Sequence, residues 1–195
     1  MIRLRAATAI ALSAVLTCSA AADGSEPSPI PVITRLSGLV TLSSAQAGTH
    51  ELVSTELLNG STMVLTDKIG SATIELSDVG DVRMGSSGQL TVGVANGKLY
   101  VTPQNGLACI RAQQDGIIVR IGGYDLEPQT PAIIETAASS RSVEFAVVAG
   151  GANVTTEATT HYVPPGHPYV IVLVNGFIHA APPMPTTIGS WHCSQ

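Results

Sequence analysis

The feature that most constrains this fold is an alternation of apolar and polar residues, which recurs along most of the chain. From Ser61 to Val92 the sequence reads STMVLTDKIGSATIELSDVGDVRMGSSGQLTV. Within this stretch Ala72, Ile74 and Leu76 are separated by polar residues. Because successive side chains of a β-strand point to opposite faces of a sheet, this two-residue period predicts half-buried strands.

Turn-forming residues interrupt the alternation at short intervals. Asn-Gly pairs, the strongest short signal for a β-hairpin, begin at Asn59, Asn96, Asn105 and Asn175. Further turns are predicted where Gly, Asp and Ser cluster, at 78–81, 85–88 and 150–151. Short strands with tight turns predict an all-β fold with little helix. The candidates are a sandwich, a short barrel, or a stack of short antiparallel strands similar to a double-stranded β-helix.

The second half of the chain continues the pattern, with two exceptions. Tyr169–Val174 lies in a run that is apolar on both faces, which predicts a central strand. The segment Ala132–Ser139 follows Pro131 and fits either one or two helical turns or a strand. The residues predicted to point inward on the alternating strands are Ile117, Val119, Ile121, Val143, Phe145, Val147, Ala152 and Val154.

The N-terminal residues, MIRLRAATAIALSAVLTCSAAADG, combine arginines, an apolar stretch and small residues. The apolar stretch Ala6–Thr17 is too short to span a bilayer, and Ala20 and Ala22 form an A-x-A site before Asp23. This pattern predicts a secretory signal that is cleaved after Ala22. A lipoprotein signal with a lipidated Cys18 is the alternative, which the bulky residues before Cys18 fit less well.

The predicted organisation has four parts: a signal at 1–22, an extended leader at 23–31, a β-domain at 32–180 and a Pro-rich tail at 181–195. Because proline disfavours the interior of a sheet ladder, the tail is predicted to lie extended over the surface or to be mobile. After the signal, no segment is long and apolar enough to be predicted as a membrane span. The mature protein is therefore predicted in the periplasm, in the outer envelope or outside the cell.

Two cysteines, Cys109 and Cys193, lie beyond the predicted signal. In an oxidising compartment they could form a disulfide that ties the tail to the body of the domain. The alternative is a buried Cys109 within a strand and a free thiol in the tail. The sequence leaves both readings open.

The composition limits the classes of function. The formal net charge is −5, whereas nucleic-acid-binding surfaces are basic, so no nucleic-acid partner is predicted. Apolar residues make up 45% of the chain and charged residues 12%, a balance typical of folded chains. Aromatic residues make up 4%, which gives no support to a sugar-binding platform.

The sequence also lacks the usual patterns of a catalytic or metal site. None of the five histidines forms a pair at the i, i+4 spacing of a metal-binding helix. His192 and Cys193 with Cys109 are too few ligands for structural zinc. Asp78 and Asp81 could donate oxygens to calcium, but turn formation explains both. The GSSG turn lacks the spacing of a nucleophile elbow. We therefore predict no catalytic residue, no metal ligand and no cofactor.

A series of motifs, taken in order, resembles the FecR-like domain, a family of exported all-β modules. The family opens with a Gly-Val-containing strand, here LSGLVTL, and continues with a Leu-x-x-Gly turn and a threonine before a Gly/Ser pair, here LLNGSTMVLTDKIGSATIEL. Later elements are matched by SDVGDVRMGSSGQLTV, NGKLYV, FAVVAGGANVT and YVPPGHPYVI. The resemblance extends from about Leu36 to Val174. It departs from the family at Gly122–Leu126, where a common threonine is absent.

The resemblance implies a non-catalytic, extracytoplasmic sensory or protein-interaction module of a bacterial envelope signalling system. Signalling members of the family place a sigma-regulating segment and a membrane span before this domain, whereas the feature predicted here is a cleavable signal. The expected partner is a protein at the cell envelope or a second copy of the chain. The alternatives are a self-associating structural or adhesive surface protein and, with less support, a secreted hydrolase.

Overall fold

A computed structural model describes residues 30–76, 78–156, 159–166, 168–174, 177–178, 184–185 and 193. Within these residues the predicted all-β class is confirmed, since they form strands and turns but no helix. The predicted signal with its cleavage site and Cys18, most of the leader and most of the tail lie outside the described residues. No helix in the described part of the chain is long and apolar enough to cross a membrane.

Short strands make up the first half of the chain, and three strands of 14 or 15 residues dominate the second half. All described pairings are antiparallel except that of β9 with β10, which is parallel. The described residues form β1 (Val32–Ser37), β2 (Val40–Ser44), β3 (Gly48–Glu51), β4 (Thr55–Leu57), β5 (Thr62–Thr66), β6 (Ser71–Leu76), β7 (Gly80–Met84), β8 (Gln89–Ala95), β9 (Lys98–Ala112), β10 (Ile117–Ile121), β11 (Tyr124–Ala138), β12 (Ser142–Thr155), β13 (Thr160–Val163), β14 (Pro168–Val174), β15 (Phe177–Ile178) and β16 (Met184–Pro185).

The strands build two layers that share the three long strands β9, β11 and β12. Layer 1 has the order β3-β2-β5-β8-β9-β10-β11-β12-β13. Layer 2 has the order β4-β1-β6-β7-β9-β11-β12-β14 and uses the other halves of the shared strands. Inward residues of both layers belong to one hydrophobic cluster, so the layers pack face to face as a sandwich. Among the described strands the sheet does not close into a barrel, because β3, β4 and β13 each pair on one side only.

The chain passes between the layers along a row of bends, which we call the corner. The three long strands bend there without ending, at Gly106, at the Thr130–Pro131 peptide and at Gly150. The short strands cross the corner between β1 and β2, β3 and β4, β5 and β6, and β7 and β8. One sheet folded along a single line therefore provides both layers.

Glycine allows neighbouring segments to approach closely at the corner. A Cβ on Gly38 would lie 2.6 Å from the Cα of Gly70, and one on Gly106 would lie 2.8 Å from the Cα of Gly88. Gly38, Gly106 and Gly150 also have φ of 59°, 80° and 75°, a region that side chains with a Cβ rarely adopt. The bends consequently depend on the absence of side chains.

The core lies between the layers and consists of the inward residues that the alternation predicts. Ala72, Ile74 and Leu76 are all 0% exposed, and Phe145 is 1% exposed. The ring of Phe145 stacks on that of Tyr169 with centroids 5.6 Å apart. The burial predicted for Ile117, Val119, Ile121, Val143, Phe145, Val147, Ala152 and Val154 is confirmed. Each large apolar side chain buried in this way stabilises the fold by about 1.5–3 kcal/mol.

One Asn-Gly pair forms the hairpin expected of it. Asn96 and the following glycine have φ of 52° and 72° and join β8 to β9. Asn105 lies inside β9 at the corner, and Asn59 lies between β4 and β5, which do not pair, so the hairpin prediction was wrong at both. The turn predicted at 150–151 is also wrong, because β12 bends there and continues. Asn175 lies outside the described residues, although β14 and β15 on either side of it pair.

Three other segment predictions are settled or corrected. Residues 132–138 belong to β11, so the strand alternative holds and the helical one is wrong. β14 has β12 on one side and only the two-residue strands β15 and β16 on the other, so it lies near an edge and not in the centre. In the predicted tail, Met184–Pro185 pairs with β14, because proline is tolerated on an edge strand.

Candidate interaction surface

One edge of the sandwich is a bent ribbon formed by β3 and β4, which we call the edge ribbon (48–57). β3 pairs only with β2, and β4 pairs only with β1. The connection at 52–54 crosses the corner, so the ribbon borders both layers. Its sequence, GTHELVSTEL, contains neither proline nor lysine, the residues that commonly protect sheet edges.

The unused backbone groups of the edge ribbon follow a regular series. Backbone N–H groups of Leu52, Arg35 and Leu58 donate to the carbonyls of Val40, Ser54 and Pro31, each at 2.8 Å. Antiparallel ladders alternate inward and outward groups, so the even-numbered ribbon residues bond to β2 and β1. Residues 49, 51, 53, 55 and 57 therefore direct their N–H and C=O groups away from the sandwich. Within the described residues no hydrogen bond reaches these groups.

Both carboxylates of the edge ribbon have a side-chain partner within the molecule. The Arg35 Nη1 group donates to Glu51 Oε1 at 3.0 Å. His50 Nε2 lies 3.1 and 2.9 Å from the two carboxylate oxygens of Glu56. His50 pairs in register with buried Leu42, and Glu56 with buried Ile33, so both point between the layers. This His50–Glu56 contact joins layer 1 to layer 2 at the open edge.

Exposed apolar side chains surround the place where the edge ribbon crosses the corner. Val53 is 76% exposed, Ile69 73% and Leu36 59%, whereas Leu57, 54% exposed, lies at the other end of β4. The Ser37 hydroxyl donates to the Ile69 carbonyl at 2.8 Å, which ties two of the bends together. Exposed apolar side chains therefore lie at or next to three adjacent corner crossings beside unpaired backbone, a combination that favours binding of an added strand.

The opposite side of the sandwich has prolines close to its edge strands. β13 is four residues long and, among the described strands, pairs only with β12; it ends at Val163 before two consecutive prolines, Pro164 and Pro165, and β14 begins with Pro168. The two-residue strands β15 and β16 pair with β14. Proline lacks the backbone donor that an added strand needs, so an added strand could pair with β13 itself but could not extend past Val163.

The outer face of layer 2 carries a disulfide bond between Cys109 on β9 and Cys193, whose Cα atoms are 5.6 Å apart. Glu135 on β11 lies beside Cys109 in register, and Arg83 on β7 lies on its other side. Glu135 is 3% exposed, and its carboxylate accepts no hydrogen bond in the described part of the structure. Arg83 Nε lies 3.3 Å from Asp81 Oδ1.

On the outer face of layer 1, Arg120 forms an ion pair with Asp125 and lies over the ring of Tyr100. Arg120 Nε and Nη2 donate to the Asp125 carboxylate at 2.7 and 2.8 Å, and the guanidinium lies 4.5 Å from the centre of the Tyr100 ring. The hydrogen bond with Asp125 raises the pKa of Arg120 above its usual value. The group therefore stays charged throughout the neutral range, and as an exposed pair it contributes little to stability.

Of the residues considered for metal binding, His192 lies outside the described residues, and the others have other partners. Asp78 is exposed and accepts a hydrogen bond from Gln114, whereas Asp81 faces Arg83. Cys109 is bonded to Cys193 and so is not a thiolate ligand. Among the residues whose placement the structure gives, no three His, Cys, Asp or Glu side chains form a metal-binding group. The GSSG turn lies at the corner, where Gly88 allows close packing: a Cβ on it would lie 2.9 Å from the Cε of Met84.

The edge ribbon was not predicted from the sequence. The signal that the sequence offers is a ten-residue stretch, GTHELVSTEL, that contains no proline or lysine. That β3 and β4 each lack a second neighbour follows from pairings with β2 and β1, which sequence periodicity does not specify.

Comparisons with known proteins show a likeness in fold only. Neither a family model nor a curated protein matches the chain. Two crystal structures of a "putative anti-sigma factor" from Parabacteroides distasonis ATCC 8503, at 1.65 and 2.50 Å resolution, share the fold with a TM-score of 0.50 and 13% sequence identity. The match covers 64–65% of this chain and spans 58–59% of those chains, less than two thirds of their length.

Proposed function

We propose that this chain is an exported, non-catalytic module of the FecR-like type, which acts through protein–protein contacts in a bacterial envelope signalling system. The main support for this proposal is the edge ribbon, which has unpaired backbone groups near the exposed side chains of Val53, Ile69 and Leu36. A binding surface of this kind recognises extended protein segments through main-chain hydrogen bonds and adjacent apolar contacts.

Two further observations support the proposal. The motifs from LSGLVTL to YVPPGHPYVI resemble the FecR-like family in order and spacing. The solved structures that share the fold include a protein named as an anti-sigma factor, a class of regulator. Since their identity to this chain is 13%, they support the choice of class and leave the partner to be found.

Export is supported by the N-terminal pattern and by the disulfide. Disulfides form and persist in oxidising compartments outside the cytosol, and Cys109 is bonded to Cys193. We expect the exported protein to begin at Asp23, as measured by intact mass and N-terminal sequencing. A fatty-acid label on Cys18 would replace this route with a lipoprotein one.

Cross-linking in the native envelope tests the function. We expect a partner, either another envelope protein or a second copy of the chain, to be cross-linked to the chain, and its yield to fall sharply for Val53→Lys. Tyr162→Lys on the opposite edge is the matched control, because Tyr162 is also exposed, at 60%. Equal yields for the two variants, or no cross-linked partner, would contradict the proposal.

A further inference from the structure

We propose that the strand which completes the edge ribbon belongs to a second copy of this chain, bound about a twofold axis that passes midway between the Val53 residues of the two copies. The inference rests on the proposed role of the edge ribbon as the interaction surface. It adds the identity of the partner at that surface and the register of the pairing. Three features of the edge ribbon support it: the outward backbone groups, the internal pairing of its carboxylates, and a bend that is compatible with twofold symmetry.

The outward groups of the edge ribbon match those of a second edge ribbon in antiparallel orientation. Residues 49, 51, 53, 55 and 57 direct their N–H and C=O groups outward, so these residues form the hydrogen-bonded pairs of the added ladder. When each Val53 lies opposite Val53 of the other copy, Glu51 lies opposite Thr55 of the second copy and Thr49 lies opposite Leu57 of the second copy. No charged residue then faces a like charge across the interface.

The charges of the edge ribbon also permit a second copy to approach. The Arg35 guanidinium balances the charge of Glu51, and the Glu56 carboxylate contacts the His50 ring, so each ribbon carboxylate already has a partner when an identical surface approaches. The whole chain carries −5, which opposes association over longer distances. Salt screens that repulsion beyond about 10 Å at 0.1 M. Association should therefore strengthen when the salt concentration rises, the opposite of an interface held by ion pairs.

The bend of the edge ribbon is compatible with this symmetry. An axis that bisects the bend at 52–54 brings β3 of one copy beside β4 of the other. Layer 1 of each copy then continues into layer 2 of its partner, and both corners meet at Val53. A closed twofold pair of this kind uses both edge ribbons and leaves the β13 edges, which are followed by prolines, outside.

Cysteine cross-linking tests the axis. Residues of a hydrogen-bonded antiparallel pair have Cα atoms about 5.5 Å apart, which suits a disulfide. We expect Val53→Cys to be oxidised to a covalent dimer at least ten-fold faster than Ile69→Cys. Ile69 is the matched control because it is equally exposed, at 73% against 76%, and lies off the axis. Equal rates would overturn the proposal.

Sedimentation of the oxidised, disulfide-bonded protein over a dilution series provides the second measurement. We expect a monomer–dimer equilibrium that shifts toward dimer with salt and is lost in Val53→Lys and in Thr55→Pro. Thr55→Pro removes an outward N–H group and the contact of the Thr55 hydroxyl with that of Thr34, and circular dichroism checks that each variant keeps its β-structure. A wild-type protein that stays monomeric at all concentrations overturns the inference. An envelope protein cross-linked in a Val53-dependent manner would in that case still support the proposed function.

Discussion

At the residue scale the fold depends on glycines that sit where the sheet turns from one layer to the other. Gly150 has φ of 75°, and a Cβ on it would overlap the carbonyl oxygen of Pro131 and lie 2.9 Å from the Cβ of Ala132. Gly97 in the β8–β9 hairpin has a similar φ of 72°, but nothing lies within 4 Å of its Cβ position. A comparison of substitutions at Gly97 and Gly150 therefore distinguishes the cost of the left-handed backbone from the cost of steric overlap.

Gly150→Ala is therefore expected to cost more than Gly97→Ala. The left-handed conformation alone costs about 1–2 kcal/mol for a residue with a Cβ, and overlap in a packed region adds about 1–3 kcal/mol. We expect a loss of about 1 kcal/mol for Gly97→Ala and about 2–5 kcal/mol for Gly150→Ala, measured by urea denaturation. Equal losses would show that the corner can open to accept a methyl group.

A second residue-scale prediction concerns the contact between His50 and Glu56 across the layers. Glu56→Gln keeps the shape and removes the charge of a partly exposed pair, so we expect a loss of about 0.5–1 kcal/mol. Hydrogen exchange of the β3 and β4 amides should rise more than that of β6 amides. Glu127→Gln, whose partner Lys98 lies 3.1 Å away on layer 1, is the control and should leave β3 and β4 unchanged.

At the element scale the long strands β9, β11 and β12 differ most from the expectation of uniformly short strands. Glycine at 106 and 150 was interpreted as the end of a strand, because glycine is common in hairpin turns. In the structure the same residues bend a strand and let it continue in the other layer. Local sequence does not separate these outcomes, since both need the same backbone freedom.

The disulfide between Cys109 and Cys193 links a central strand to a residue 84 positions later. In the chain-entropy model, closing a loop of this size stabilises the fold by about 4–5 kcal/mol. We expect the double variant Cys109→Ser, Cys193→Ser to lose a similar amount, measured by guanidinium denaturation without reductant. Wild-type protein with reductant is the control and should behave like the variant. Two free thiols by mass spectrometry of the unreduced protein would contradict the pairing.

At the scale of the whole molecule, the shared strands couple the two layers. Leu99 and Ile110 lie on one strand, β9, and both are 0% exposed, one in each layer. Neither layer can lose its part of β9 without straining the other part, so the sandwich should unfold as one cooperative unit.

Calorimetry tests this coupling. We expect a single transition with equal calorimetric and van't Hoff enthalpies. Leu99→Ala and Ile110→Ala should each lower its midpoint without splitting it, because each leaves a cavity that costs about 2–5 kcal/mol. Separate transitions in either variant would mean that the layers are independent units.

The sequence by itself determined the all-β class and which residues face the core, because a strand's two-residue period follows from backbone geometry and needs no knowledge of its neighbours. It also indicated the hairpin at Asn96, where the turn is local. Only the tertiary structure decided which strands pair, where glycine bends a strand instead of ending it, and that Cys109 meets Cys193. The edge ribbon belongs to this second group. A strand edge is free only when no other strand lies beside it, and that depends on contacts between residues far apart in the chain.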